Sequence, residues 1–300
     1  MPEGPEVTIL TTILRNKLTN TYLHKLDITS SSRYATKKPD NFQILLDSLP
    51  NKFKYIENKG KFIYFIMENG LILFQTLGMA GGWYGTQKKH TSMILEYSKH
   101  PQVDTTHPAN QIYFVDQRHF ATFKVILNPA DLIKKLKELG PDLVAEFTHY
   151  HSPYLKSIKY EDPINENIFI TRLRKYNSKN IVVTLMNQKV FSGIGNYLKS
   201  EILYHAKIYP LCNINDLTDT DLANLYQSAR HVIKKSYQAQ GGKIQLYSDL
   251  NTPIDEDVFN FQVYQQERDP NGLVIKRIQT ADKRSTFYVP EIQIIGKKDS

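Results

Sequence analysis

Residues 190–210, VFSGIGNYLKSEILYHAKIYP, contain the local pattern that decides the fold of the middle of the chain. Gly193 and Gly195 flank one residue, and Asn196 follows where an apolar helical pattern begins. Backbone N–H groups at a glycine-rich turn that leads into a helix form an anion site, and phosphate is the expected anion. The alternative is an ordinary tight turn between two helices. A dinucleotide-binding fingerprint is excluded, because the third glycine and the preceding strand are missing.

The segment around this turn, residues 168–240, is predicted to be mostly helical. Its last helix is marked by Thr218, followed three residues later by Asp221, a capping-box spacing. Upstream, residues 128–143, NPADLIKKLKELGPDL, predict another helix that begins after Asn128 and ends at the Gly140-Pro141 pair. The residue pattern changes there from one typical of strands to one typical of helices, so we place the first domain boundary at residue 128.

Strand patterns dominate residues 19–127, after a helix predicted from Pro5 to Leu18. The clearest is KFIYFIMENGLILFQTLG at 61–78, in which Asn69-Gly70 predicts a hairpin. An antiparallel sandwich or barrel is expected. Strands are also predicted near the C-terminus, in NFQVYQQ, LVIKRIQT and RSTFYVP. The predicted domains are 1–128, 129–240 and 241–300, in an α+β fold.

Composition limits the classes of function. With 300 residues and 41% hydrophobic residues the chain can bury a core, and its net charge of +8 favours a polyanionic partner. A signal peptide and membrane spans are not expected, so we expect an intracellular protein, nuclear or cytoplasmic depending on the host, and not secreted. The single Cys212 excludes an intramolecular disulfide and a zinc site with two thiolates. No cofactor and no metal are expected.

Two distant motifs resemble one known family. Residues 192–210 resemble the helix-two-turn-helix (H2TH) signature of the Fpg/Nei DNA glycosylases, and the opening MPEGPEV resembles the N-terminus of that family. The resemblance covers the whole chain, through NKGKFIYF, LGMAG, DQRHF and QTADKRSTFYV. It implies an N-terminal helix plus antiparallel β-sandwich, a helical H2TH domain and a C-terminal finger β-hairpin.

The resemblance assigns the opening residues to catalysis. Removal of Met1 exposes the secondary amine of Pro2, which can attack the sugar carbon that carries a damaged base. An α-amino group with a pKa of ~8 is unprotonated far more often at pH 7 than a lysine with a pKa of ~10.4. Glu3 is the expected acid for the sugar ring oxygen, and Glu6 would hold the amine. The alternative for both glutamates is a plain helix start, where acidic residues favour the dipole.

Further roles follow from the matched segments. Lys61 would contact a phosphate and aid catalysis, although it could also be one more exposed lysine. Glu201 matches an acid near the active site, and its alternative is an ordinary glutamate on a helix surface. Asn196 and Arg284 would bind phosphates, and a planar guanidinium suits that task better than an amine. Three residues would fill the space that a flipped nucleotide leaves: Met79, Arg118 and Phe120. For the two apolar residues, the alternative is packing in the core.

The sequence departs from most of the family in its finger. Residues 241–300 contain no cysteine, whereas most members close the finger with four. The chain therefore resembles the zincless-finger subgroup typified by the vertebrate Nei-like 1 enzyme. This subgroup implies oxidised pyrimidines and hydantoin or ring-opened purines as substrates.

The resulting hypothesis is a bifunctional DNA glycosylase/AP lyase of base excision repair that forms a Schiff base through Pro2 and cuts by β,δ-elimination. The expected partner is damaged DNA, duplex or single-stranded, the protein is expected to be a monomer, and no membrane is involved. One alternative is a catalytically idle H2TH protein that binds damaged DNA. Another is an unrelated basic nucleic-acid-binding protein, which explains the charge and neither motif.

Overall fold

A computed structural model describes residues 2–239, 241, 250 and 259–297 of the chain. Their contacts divide into two compact units, each with its own buried core. The first contains residue 2 and residues 6–138, and the second contains 3–5, 139–239 and 259–297. The division into three domains at 128 and 240 stays a prediction.

The first unit combines helices with one long antiparallel ladder. Helix α1 (Gly4–Leu18) belongs to this unit from residue 6 onward. The other two helices of the unit are α2 (Phe42–Asp47) and α3 (Pro129–Glu138). The sheet order is β5-β7-β6-β1-β2-β3-β4-β8. The strands are β1 (Tyr22–Ile28), β2 (Asn51–Lys59), β3 (Phe62–Met67), β4 (Ile72–Thr76), β5 (Gly82–Tyr84), β6 (Thr91–Ser98), β7 (Asn110–Val115) and β8 (Thr122–Ile126).

The β3–β4 hairpin forms where the sequence predicts it. Met67 N donates to Leu71 O (2.8 Å) across the turn, and Gly70 has φ 91°, the left-handed region that favours glycine. Apolar side chains from both halves of the ladder belong to one core cluster. Trp83 Nε1 of β5 donates to Gln75 Oε1 of β4 (2.9 Å), so strands from opposite halves of the ladder meet. The α+β fold class with an antiparallel sheet is confirmed.

Helix α3 clusters with the sheet and not with the helical unit. Asn128 caps it, because its Oδ1 accepts from Ala130 N (3.0 Å). Near its C-terminal end, the Leu136 carbonyl accepts from the buried Lys59 Nζ (3.1 Å) of β2. This bond satisfies a buried charge and ties the helix to the strand.

The second unit consists of helices and one hairpin. The 3-10 turns are Ala145–Phe147 and Ile214–Asp216, and the helices are α4 (Pro153–Ser157), α5 (Glu166–Arg174), α6 (Ile181–Met186), α7 (Asn196–His205) and α8 (Asp219–Gln238). Thr218 and Asp221 form the expected capping box at the start of α8. The hairpin joins β9 (Lys276–Gln279) to β10 (Ser285–Tyr288). Among the described helices, none is long and apolar enough to cross a membrane.

The strand predicted in NFQVYQQ, residues 260–266, is wrong. This stretch forms bends and turns, and its backbone N–H groups from Gln262 to Tyr264 donate to the carboxylate of Glu201. A strand needs those donors for a ladder, so the buried glutamate decides the conformation. The next predicted strand, 273–280, is shorter than expected and begins at Lys276.

Candidate functional site

The carboxylate of Glu3 lies at the first turn of α7. Its Oε1 accepts from Tyr197 N (2.9 Å) and its Oε2 from Leu198 N (3.2 Å), and the residue is only 1% exposed. The first N–H groups of a helix have no partner within the helix, and the positive end of the helix dipole favours an anion there. Glu3 thus caps a helix that lies 194 residues further along the chain.

The two glycines of the H2TH turn are required for this contact. Gly195 is extended (φ −132°, ψ −157°), but a Cβ built on it would overlap the Glu3 carboxylate. Gly193 has φ 97°, in the left-handed region, and its carbonyl accepts from Gly4 N (2.9 Å). Two of the N–H groups predicted to attract phosphate therefore bind Glu3. A direct role of these glycines in DNA binding stays a prediction.

Asn196 joins α7 to the hairpin. Its Nδ2 donates to Ser285 O (3.0 Å), and its Oδ1 is buried without a hydrogen-bond partner. Arg284 lies just before β10, with an exposed side chain and with its backbone held on both sides. Its carbonyl accepts from Thr280 N (3.0 Å), and its N–H donates to Asp282 Oδ1 (3.2 Å). The backbone at Arg284 is fixed while the guanidinium reaches solvent.

Three further proposed catalytic residues belong to the first unit. Pro2 is buried two residues before the start of α1, and Glu6 is fully buried in the first turn of that helix. Lys61 is half-buried in the tight turn between β2 and β3, where Gly60 has φ 55°. The roles of Pro2, Glu6 and Lys61 in catalysis stay predictions.

The three candidate void-filling residues lie on two loops that touch. Gly78 has φ 61°, and a Cβ on it would lie 2.6 Å from Ala121 N, so the turn that carries Met79 packs on the loop that carries the other two. The Arg118 guanidinium lies 5.6 Å from the Phe120 ring centroid. Phe120 is 53% exposed, which excludes core packing for it, and Met79 is half-buried. These positions suit contact with another molecule.

Glu201 supports the backbone beside the hairpin. Its Oε2 accepts from Gln262 N (3.0 Å), and its Oε1 accepts from Val263 N (3.0 Å) and Tyr264 N (2.8 Å). Burial raises the pKa of this carboxyl, and the three backbone donors lower it only in part. The carboxylate therefore anchors residues 262–264, and its expected catalytic role stays a prediction.

Lys199 is a functional candidate that the sequence did not reveal. Its side chain is fully buried on α7, and its Nζ lies 2.8 Å from Oδ2 of Asp282. Burial lowers the pKa of the amine, while Asp282 opposes that shift. The sequence offered no local signal for it, because only the structure shows that every residue of α7 from Tyr197 to Tyr204 is buried. A lysine within such a run needs a partner.

No group of three His, Cys, Asp or Glu side chains that could hold a metal ion occurs among the residues with described coordinates. Cys212 is a buried free thiol, and burial raises its pKa to about 12. It is unsuited to nucleophilic or metal chemistry at neutral pH.

Three family models match successive parts of the chain. They describe the formamidopyrimidine-DNA glycosylase N-terminal domain (residues 1–123), H2TH domain (159–248) and C-terminal domain (251–294). Among curated relatives, the formamidopyrimidine-DNA glycosylase of Ureaplasma parvum is 27% identical over 98% of this chain and 100% of its own length. The enzyme of that name from Arabidopsis thaliana is 25% identical over 100% of this chain and 73% of its own length.

Solved structures share the fold. A Lactococcus lactis FPG mutant in complex with Fapy-dG containing DNA superposes with a TM-score of 0.76 at 24% identity, covering 97% of this chain and 99% of the other. The Lactococcus lactis Fpg in complex with an abasic site containing DNA gives the same TM-score, identity and coverage. At this identity the likeness concerns the fold.

Proposed function

Because this chain belongs to the formamidopyrimidine-DNA glycosylase family of base excision repair, we propose that it is a bifunctional DNA glycosylase/AP lyase for oxidised bases. The observation that carries the proposal is the placement of Glu3. The residue after Pro2 is buried and bonded to two backbone N–H groups of the H2TH helix. An acid next to the proposed nucleophile is thereby held in one orientation, as proton transfer requires.

The reaction begins at the amine of Pro2, after Met1 has been removed. The amine forms a bond to C1′ of the damaged nucleotide, and the bond from C1′ to the base breaks with its electron pair leaving on the base. The proton that the amine nitrogen loses neutralises the departing base. Glu3 gives a proton to the ring oxygen of the sugar, the ring opens, and an iminium joins Pro2 to C1′. Loss of a C2′ proton expels the 3′ phosphate, and a second elimination expels the 5′ phosphate. Water then releases Pro2.

DNA binding is proposed for the exposed or half-exposed groups described above. Arg284 and Asn196 of the second unit bind DNA phosphates, and so does Lys61 of the first unit. Met79, Arg118 and Phe120 occupy the space that the flipped nucleotide leaves, which offsets part of the few kcal/mol that unstacking costs. The exposure of Phe120 and its contact with Arg118 support this assignment.

We further propose that the chain has a zincless finger like that of the Nei-like 1 subgroup. The support is the absence of cysteine from residues 241–300 together with the β9–β10 hairpin. The preferred lesions are then oxidised pyrimidines and hydantoin or ring-opened purines. Ring-opened purines are also the substrate class in the names of the curated relatives.

Borohydride trapping tests the mechanism. The protein is mixed with DNA that contains an abasic site or 5-hydroxyuracil, the imine is reduced, and the site of attachment is mapped by mass spectrometry of the digested complex. We expect one covalent adduct on the N-terminal peptide that begins with Pro2. Lys61→Met is the matched control, because it removes another amine that the proposal assigns to catalysis and is expected to leave the adduct in place.

Three results would overturn the mechanism: no adduct, an adduct on a lysine, or an N-terminus that retains Met1. Binding without any adduct would identify an idle damage-binding protein instead. A panel of duplex and single-stranded substrates with each lesion class then tests the substrate assignment separately.

A further inference from the structure

The tip of the finger hairpin is held by a buried charge pair. Lys199 is 0% and Asp282 7% exposed, and their Nζ and Oδ2 atoms are 2.8 Å apart. Asp282 also organises the turn itself, because its Oδ1 accepts from Thr280 Oγ1 (2.6 Å) and from Arg284 N (3.2 Å). One carboxylate therefore shapes the backbone at Arg284 and ties it to α7.

Three residues of α7 contact the hairpin, and the Oγ of one of them, Ser200, accepts from Phe287 N (3.4 Å) within β10. The other two contact the hairpin on either side of Arg284. Lys199 binds Asp282, two residues before it, and Asn196 donates to Ser285 O, one residue after it. Residues three apart lie on the same face of a helix, so both contacts come from one side of α7. The charges of Asp282, Arg284 and Glu3 all act on the Lys199 amine.

The buried pair of Lys199 and Asp282 is better explained as a constraint on the position of the hairpin than as a contribution to the stability of the fold. Taking two charges out of water costs nearly as much as their attraction returns, so a buried ion pair is a weak stabiliser but a strict constraint on position. Residues 241–300 contain no cysteine, so thiolate ligands cannot fix this hairpin to a metal. The contacts from α7 set where the tip lies.

We propose that Lys199 is a positioning residue, whose ion pair with Asp282 holds the hairpin tip on α7 so that Arg284 meets a DNA phosphate. This inference rests on the proposed function, since it presumes that the protein binds DNA. Lys199 itself is buried and does not touch the DNA. Lys199 affects DNA binding because it fixes the position of Arg284.

A double-mutant cycle tests the inference. Fluorescence anisotropy measures the Kd for a labelled duplex with a tetrahydrofuran abasic analogue, at several salt concentrations, for wild type, Lys199→Met, Arg284→Ala and the double variant. We expect each single variant to weaken binding about tenfold, and the double variant to be no weaker than Arg284→Ala alone. The slope of log K against log salt should fall by ~0.9, one phosphate contact, in all three variants.

Lys199→Arg keeps the charge in a larger side chain, so it is expected to recover part of the affinity and of the salt slope that Lys199→Met loses. Arg174→Met is the matched control, because it removes an ion pair of the same unit, with Asp219, that shares no partner with the hairpin. It should keep the wild-type salt slope. If Lys199→Met does not fold by circular dichroism, Asp282→Asn replaces it in the same cycle.

Independent, multiplying losses in the double variant, or an unchanged salt slope in Lys199→Met, would overturn the inference. Wild type that does not bind the duplex would instead overturn the proposed function. The two failures are therefore distinguishable.

Discussion

The first turn of α7 and the two loops at 77–81 and 116–121 hold their functional residues in opposite ways. Around α7 the charged side chains of Glu3, Lys199 and Glu201 are buried, and each is bonded to backbone or to a counter-charge. In the loops the backbone is fixed, and the side chain of Phe120 projects into solvent. Changes near α7 should alter geometry, whereas changes in the loops should alter contacts alone.

The largest effect is expected at Glu3. Glu3→Gln removes the acid and puts an amide group where two N–H donors point, so base release in single-turnover assays should slow by about 10²–10⁴-fold. Cleavage of DNA that already contains an abasic site should be affected less. Glu68→Gln, an exposed glutamate in the β3–β4 turn, is the control and should behave as wild type. Equal rates for Glu3→Gln and wild type would remove Glu3 from the mechanism.

Gly195→Ala tests whether the contact of Glu3 with the first turn of α7 requires the space that the missing side chain of Gly195 leaves. The added Cβ overlaps the Glu3 carboxylate and must displace it, so we expect the rate of base release to fall by about 10²-fold. Gly272→Ala is the matched control, because that site is also turn-like but has no atom within 4 Å of the added Cβ. It should cost only modest stability. A fully active Gly195→Ala would mean that the Glu3 contact is dispensable.

Glu201→Ala separates anchoring from catalysis. The change leaves three backbone N–H groups without their acceptor, and each buried unsatisfied donor costs about 1–3 kcal/mol. Three such donors cost at least ~3 kcal/mol together, so we expect the Tm in thermal melts to fall by about 6 °C or more, at roughly 2–4 °C per kcal/mol for a chain of this size. Glu267→Ala, an exposed glutamate near the hairpin, should leave the Tm unchanged. A normal Tm with lost activity would favour a catalytic role instead.

Phe120→Ala tests the expectation that residues on the loops at 77–81 and 116–121 affect contacts with DNA and not the stability of the fold. A stacking contact with a base contributes ~1–3 kcal/mol, so the Kd for damaged duplex should rise about tenfold. The Tm should stay within about 1 °C of wild type, because the ring is 53% exposed. Leu127→Ala, at another exposed apolar residue, is expected to change neither quantity. A large loss of stability in Phe120→Ala would assign the ring to packing.

The smallest effect is expected from alkylation of Cys212. The thiol is buried and its pKa is raised to about 12, so very little thiolate exists at pH 8. Iodoacetamide should leave the native protein unmodified and fully active, and should label it only in denaturant. Mass spectrometry measures the label. Rapid native labelling would show that the core around Cys212 opens.

Much of the fold could be predicted from local patterns. The Asn69-Gly70 hairpin, the Asn128 cap and the capping box at Thr218 are all local signals, and all three are found. The turn before α7 and the start of that helix followed from Gly193, Gly195 and Asn196, whereas the assignment as an H2TH turn came from the family resemblance. Such features depend on residues within a few positions of one another, so the sequence is enough.

The contacts that sequence reasoning missed join distant residues. Glu201 binds backbone about 60 positions away, and this contact replaces the strand expected in NFQVYQQ. Lys199 pairs with Asp282 across 83 positions. Periodicity cannot anticipate either contact, because a polar residue on a buried helix face shows no local sign of its partner. The roles of the exposed residues came from resemblance and not from physical pattern.

The cap on α7 has a consequence for synthesis of the chain. Glu3 leaves the ribosome before its partner Tyr197, which follows 194 positions later. At about 5–20 residues per second, the carboxylate waits roughly 10–40 s before the helix it caps exists. The carboxylate of Glu3 is therefore already present when α7 emerges, and it can cap the first turn as soon as that helix forms.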